Sequence, residues 1–185
     1  MNFIKKQKQK NKENEETKMK KVYTNKGVVE QFENGVVGVY NSGETMSTGD
    51  RISPFAKADA RIKAIASYCV KRNLDFTILY SYSTVVAINV NGFTTKKNGY
   101  IYSQTTGRQT SLIRSQCTLS EINVRDIAVE LCNKETRKTW KSYNNTVMVW
   151  AQQGENQEKC KKVLAEKQEK EIAYIIEQIE KTFEK

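Results

Sequence analysis

The stretch YSYSTVVAINVNGFTTKKNGYIYSQTTGRQTSLIR, residues 80–114, decides how this chain is read. TVVAINV (84–90) is rich in β-branched residues, and Asn91-Gly92 follows at once. That dipeptide supplies the positive φ angles a tight hairpin turn requires, so the stretch predicts a β-hairpin. Asn98-Gly99 repeats the turn signal ahead of the strand-like YIYS (100–103). The strand then ends in Thr105-Thr106-Gly107-Arg108 and passes into a short helix, expected over 106–117 with Leu112 and Ile113 on its core side. At a helix start the leading N–H groups are unpaired and the dipole is positive, which favours an anion. Thr105, Thr106, Thr110 and Ser111 add hydroxyls there, and Arg108 and Arg114 can hold a phosphate by paired hydrogen bonds. Thr-Thr before a helix is equally an ordinary cap, and both readings stand at this point.

Working outward, LDFTILY (74–80) predicts the preceding strand. Ser53-Pro54 reads as the start of a helix running to Asn73, Ser as N-cap and Pro in the first turn. Phe55, Ala58, Ile62, Ile65, Ala66 and Cys69 form its apolar stripe. Its other face carries Arg61, Tyr68, Lys71 and Arg72, a basic run with an aromatic that can meet phosphates and a base. Further upstream, Val28–Phe32 and Val36–Tyr40 around Asn34-Gly35 read as another hairpin, followed by an acidic polar loop, NSGETMSTGD (41–50). Downstream, Thr118-Leu119-Ser120-Glu121 has capping-box spacing and predicts a helix to about Asn133. NTVMVWAQ (145–152) reads as one more strand, and a long amphipathic helix from Gln157 closes the chain. The fold class is therefore α+β: an antiparallel sheet of about five or six strands packed against helices, with a long C-terminal helix. The expected organisation is a disordered basic tail over 1–19, a domain over 20–152 and the C-terminal amphipathic helix over 153–185.

Of 185 residues 38% are hydrophobic, and the mean hydropathy is −0.69. No apolar run reaches transmembrane length, and the opening residues lack the apolar core of a signal peptide, so a cytoplasmic location is expected. Cys69, Cys117, Cys132 and Cys160 are irregularly spaced and read as reduced thiols. The chain has no histidine. Ser-His-Asp and Cys-His catalysis and His-ligated metals are excluded with it. Glu121, Asp126 and Glu130 share a predicted helix, but Arg125 and Lys134 lie beside them, so a metal-dependent nuclease is an outlying alternative. With no P-loop and no dinucleotide fingerprint, no cofactor and no enzymatic activity are expected.

The formal net charge is +10, and residues 51–150 carry fifteen basic and six acidic side chains. The globular centre is itself basic, which favours a polyanionic partner. Lys96 and Lys97, between the two turn signals, join the candidate contacts. Tyr80, Tyr82, Tyr100 and Tyr102 fall on neighbouring strands as either an aromatic platform or a cross-strand ladder.

The central segment resembles a family of small, uncharacterised phage and mobile-element proteins. The resemblance rests on Ser81, Tyr82, Val86 and Ala87, then on Tyr102, Ser103, Thr105, Thr106, Arg108 and Arg114, and on Met-Lys-Lys-Val-Tyr-Thr-Asn at residues 19–25. Members often carry His after the basic residue of the turn, where Gln109 stands here. The resemblance implies a phage or plasmid accessory protein. Joined to the charge, it gives the leading expectation: binding to nucleic acid or a nucleoprotein, in one form an anti-CRISPR-like inhibitor that engages a Cas effector complex. The alternative is a protein–protein module, homodimeric through the C-terminal helix. No membrane partner is expected.

Overall fold

A computed structural model describes residues 22–98 and 103–184. The expected tail over 1–19, the second turn at Gly99, and Tyr100 and Tyr102 lie outside the described residues. The chain is α+β. In order it forms β1 (Val22–Tyr23), α1 (Asn25–Glu33), β2 (Tyr40–Asn41), β3 (Met46–Gly49), α2 (Ala60–Arg72), β4 (Thr77–Ser81), β5 (Thr84–Val90) and β6 (Phe93–Lys96). Then follow α3 (Gln104–Ser111), β7 (Cys117–Thr118), α4 (Val124–Thr136), α5 (Asn145–Gln152) and α6 (Gly154–Phe183).

The seven strands form one sheet in sequence order, more than the five or six expected. β2 to β6 are antiparallel, while the outermost pairings, β1 with β2 and β6 with β7, are parallel. Each parallel step crosses over through a helix, α1 at one end and α3 at the other. The β5–β6 hairpin turns at Asn91-Gly92 as expected, with φ of +49° and +82°.

β5 is buried on both faces, which is why it reads as an almost unbroken apolar run. On one face Ile78, Val85, Ile88 and Val90 pack with Ile62, Ile65 and Cys69 of α2 and Ile175 and Ile179 of α6. On the other, Leu79, Val86 and Ala87 pack with Val28, Val29 and Phe32 of α1 and with Ile113. Adjacent Val86 and Ala87 share a face because the ladder shifts between Leu79 and Tyr80, where a bulge places one extra residue in β5. A third cluster lies off the sheet: Ile127, Ala128 and Cys132 of α4, Val147 and Trp150 of α5, and Cys160 of α6. The last helix therefore spans two cores. Most of its apolar stripe is used within the chain, while Phe183 at its end is exposed.

Several expected elements differ. Residues 28–40 are no hairpin: Thr24 caps α1, and Asn34-Gly35 ends it, with Val36 N–H bonded back to Gln31 O at 2.9 Å. Residues 145–152 are helical, not extended, because Asn144 caps Val147 N–H and Val147 and Trp150 turn to one face. Helix α2 starts at Ala60 on an Asp59 cap. Residues 53–57 instead turn and bridge to the start of β5, leaving Phe55 92% exposed. Thr118 and Leu119 belong to the sheet edge and the core, so α4 begins only at Val124 on an Asn123 cap. Part of the acidic loop over 41–50 is strand β3. All four cysteines are free, and burial pushes the Cys69 thiol up to about 11, far from a reactive thiolate.

Candidate nucleic-acid interface

The Thr-Thr-Gly-Arg segment lies inside α3, not ahead of it. Ser103 takes the N-cap, accepting the Thr106 N–H at 3.1 Å. Thr106, Gln109 and Thr110 are buried against the sheet. The Ser81 hydroxyl meets Thr106 Oγ1 at 3.1 Å and donates to Gln109 Oε1. The Ser81 and Thr106 hydroxyls thus seat α3 on β4. Gln109 is a buried hydrogen-bonding residue, with its Nε2 unpartnered among the described residues. Ser81→Ala is expected to cost about 1–3 kcal/mol, because it strips the partner from a buried amide oxygen. Chemical denaturation would show it; a neutral result would contradict the seating role.

The other predicted contacts separate. Thr105, Arg108 and Arg114 are exposed, and the Arg114 backbone N–H donates to Glu33 Oε1 at 2.8 Å. Lys96 donates to the carbonyls of Thr110 and Ile113 at 3.3 and 3.0 Å, so it caps the end of α3. Lys97 pairs with Asp59 at 3.4 Å. Arg61 does not face solvent: it is 5% exposed and bridges Asp59 and Glu171. Tyr68 donates to Glu180 Oε1 at 2.5 Å and lies under Arg72, whose guanidinium carbon is 5.8 Å from the ring centroid. Of the tyrosine cluster, Tyr80 is fixed by Ser53 N–H and Arg51 O, and Tyr82 occupies the β4–β5 turn with φ +52°.

Of the α2 candidates, Lys71 opens onto a groove of about 510 Å³ between that helix and residues 51–54. The groove follows from amphipathicity: Ile62, Ile65 and Cys69 point into the core, leaving Lys63, Val70 and Lys71 outside. Opposite, Tyr80 pins the backbone of Arg51 and Ser53, so the second wall has a fixed position. Ile52, Pro54, Val70 and Phe76 supply an apolar lining, and Arg51, Lys63 and Lys71 supply three cations. No acidic side chain lines it, and none of the three cations has a carboxylate within 4.0 Å among the described residues. Phe55, next to the lining residue Pro54 and almost wholly exposed, lines the neighbouring depression on the other side of residues 51–54. Sequence reasoning did not single out Arg51, Lys63 or Phe55 as contacts: Arg51 follows an acidic loop, and Phe55 fits a helical stripe that the fold uses only from Ala60 onward.

Among the described residues no three Asp, Glu, Cys or His side chains come together to hold a metal ion. Glu130 pairs with Lys167 on α6. No described helix is long and apolar enough to cross a membrane. The fold and groove define a basic α+β protein with an open cationic cleft. Compared with protein-family models, curated proteins and solved structures, the chain matches none.

Proposed function

We propose that the chain is a nucleic-acid-binding accessory protein, and that the α2 groove takes a single-stranded segment. The observation that carries this is the groove's makeup: three cations without a carboxylate partner among the described residues and no acid around an apolar lining, with the exposed Phe55 one residue beyond Pro54 of that lining. Cations spaced along a cleft follow a phosphate backbone, while Phe55 and Val70 offer base faces something to lie against. The excess of basic residues over 51–150 draws any polyanion toward the same surface. In its narrower form, motivated by the phage-protein resemblance, the bound strand belongs to a host defence nucleoprotein whose guide or DNA channel the protein occupies.

Fluorescence anisotropy with labelled single-stranded DNA and RNA, read at two salt concentrations, tests the proposal. The double variant Lys63→Glu/Lys71→Glu should weaken binding at least about tenfold and flatten the salt slope by roughly 0.7 for each phosphate no longer neutralised. Phe55→Ala should weaken it with the salt slope unchanged, since stacking carries no counterion release. Absent or salt-independent binding to both strands and to a Cas ribonucleoprotein would end the proposal.

A further inference from the structure

We infer that the α4–α5 unit is a second, separate contact for double-stranded DNA, with α5 as the element that enters the major groove. This goes beyond the groove reading and uses none of its residues.

Helix α5 buries Val147 and Trp150 against α4 and α6, which leaves Asn145, Thr146, Val149 and Gln152 exposed. Val149 is 58% exposed. The exposed set carries no charge; it offers two side-chain amides, a hydroxyl and branched methyl groups. Side-chain amides can pair with adenine through two hydrogen bonds, and methyls contact the thymine methyl. An α-helix with its side chains is about 10–12 Å across, which the ~12 Å wide major groove admits.

What precedes α5 supplies the phosphate contacts. Lys134, Arg137, Lys138 and Lys141 are all exposed between the end of α4 and the start of α5. None has a carboxylate within 4.0 Å among the described residues. The nearby acids are engaged elsewhere: Glu135 pairs with Lys159 and Glu130 with Lys167, both on α6. The connecting segment is also held in place. Asn133 donates to the Trp140 carbonyl at 2.9 Å and accepts its N–H at 2.7 Å, closing a ring across seven residues.

Duplex is favoured over single strand because the aromatic rings at this surface are half-buried and each already carries a cation. Trp140 and Tyr143 are half-buried, with Lys138 and Arg125 stacked 5.9 and 5.6 Å from their ring centroids. A neutral amide-bearing helix bordered by fixed cations matches a base-edge reader beside backbone clamps. The sequence shows part of this in KETRKTWKSY (134–143), where cations alternate with aromatics; the strand reading of 145–152 concealed the rest.

The test uses the full chain and a labelled duplex of about 20 base pairs beside a single strand of equal length, each at two salt concentrations. Lys138→Ala/Lys141→Ala should weaken duplex binding about tenfold, reduce the salt slope by about 0.9 for each phosphate no longer neutralised, and leave single-strand binding unchanged. Asn145→Ala/Gln152→Ala should retain affinity for random duplex and lose the sequence preference seen on selection from a random pool. Arg137→Gly is a control for folding: Arg137 ends α4 at φ +54°, where glycine is at ease, so its melting temperature should not fall while duplex affinity does. Failure of the intact chain to hold duplex, or unchanged duplex binding in the lysine variant, overturns the inference. Loss of duplex binding only on Lys63→Glu/Lys71→Glu does the same. Single-strand binding that is absent or insensitive to that groove variant instead overturns the groove reading, so the two fail separately.

Discussion

Replacing Arg61 by alanine is expected to cost the fold about 3–5 kcal/mol, read as a drop in denaturation midpoint. The guanidinium is buried where α2, α6 and the start of α4 converge. It donates to Asp59 through Nε and Nη2 at 2.9 Å each, to Glu171, and to the Ser120 carbonyl at 2.8 Å. Such a cluster contributes little net stability when complete, because desolvation offsets its attraction. Removing the cation is different, since two partly buried carboxylates then lose their shared partner, Asp59 keeping Lys97 and Glu171 keeping the Ser120 N–H. The same cluster has a pH signature. Burial alone would push the Asp59 carboxyl up, but the Arg61 hydrogen bonds and the charges of Arg61 and Lys97 outweigh it and hold it at about 2, against 3.8 for the free group. A carboxyl lowered on folding stabilises the native state above its unfolded value, and that contribution disappears as pH falls from near 3.8 through about 2. The wild type should show this acid-dependent loss, and Arg61→Ala should show a smaller one. An alanine variant as stable as wild type would mean that Arg61 holds nothing together.

The second large effect is removal of α6. A chain ending before Gly154 loses Ile175 and Ile179 from the sheet's helical cover and Cys160 from the α4–α5 cluster. Truncating a single buried isoleucine costs about 2–5 kcal/mol, and a whole domain is stable by only about 5–15 kcal/mol. The shortened chain should therefore show no cooperative thermal transition and should bind a hydrophobic dye. A folded, cooperative product would show that the helix is an appendage. Light scattering on the intact chain follows from the same packing: with most of its stripe used internally, α6 gives little reason for dimerisation, and a monomer is the expected result.

What the sequence disclosed, and what it hid, divides along physical lines. The β4–β5–β6 meander was legible because β-branched runs and Asn91-Gly92 act locally, and local signals survive folding. The long helix was legible from its repeated stripe. Residues 28–40 misled because Asn-Gly ends a helix as readily as it turns a hairpin, and Val28, Val29 and Phe32 suit either period. NTVMVWAQ misled because eight apolar-rich residues cannot fix a period, and only the partners Ile127 and Cys160 choose helix. At the candidate site, Lys71 was legible as an exposed cation on α2. The inward turn of Arg61 was not, since its partner Glu171 stands 110 residues away. The Thr105–Arg108 segment was read as leading into a helix and lies inside one, and the Thr106 hydroxyl could be assigned to the core only once Ser81 was seen beneath it.

The two outermost strands, Val22–Tyr23 and Cys117–Thr118, are each two residues long. A seven-stranded sheet normally ends in two rows of unpaired backbone groups, which can template the addition of a foreign strand. Among the described residues each row is too short to register one, and each is joined to the rest of the sheet through a crossover helix. The aggregation hazard of a strongly apolar central strand such as TVVAINV is contained by topology. The polyanion binding proposed above would crowd copies of a basic chain together, and short edges of this kind limit the joining of their sheets under such crowding.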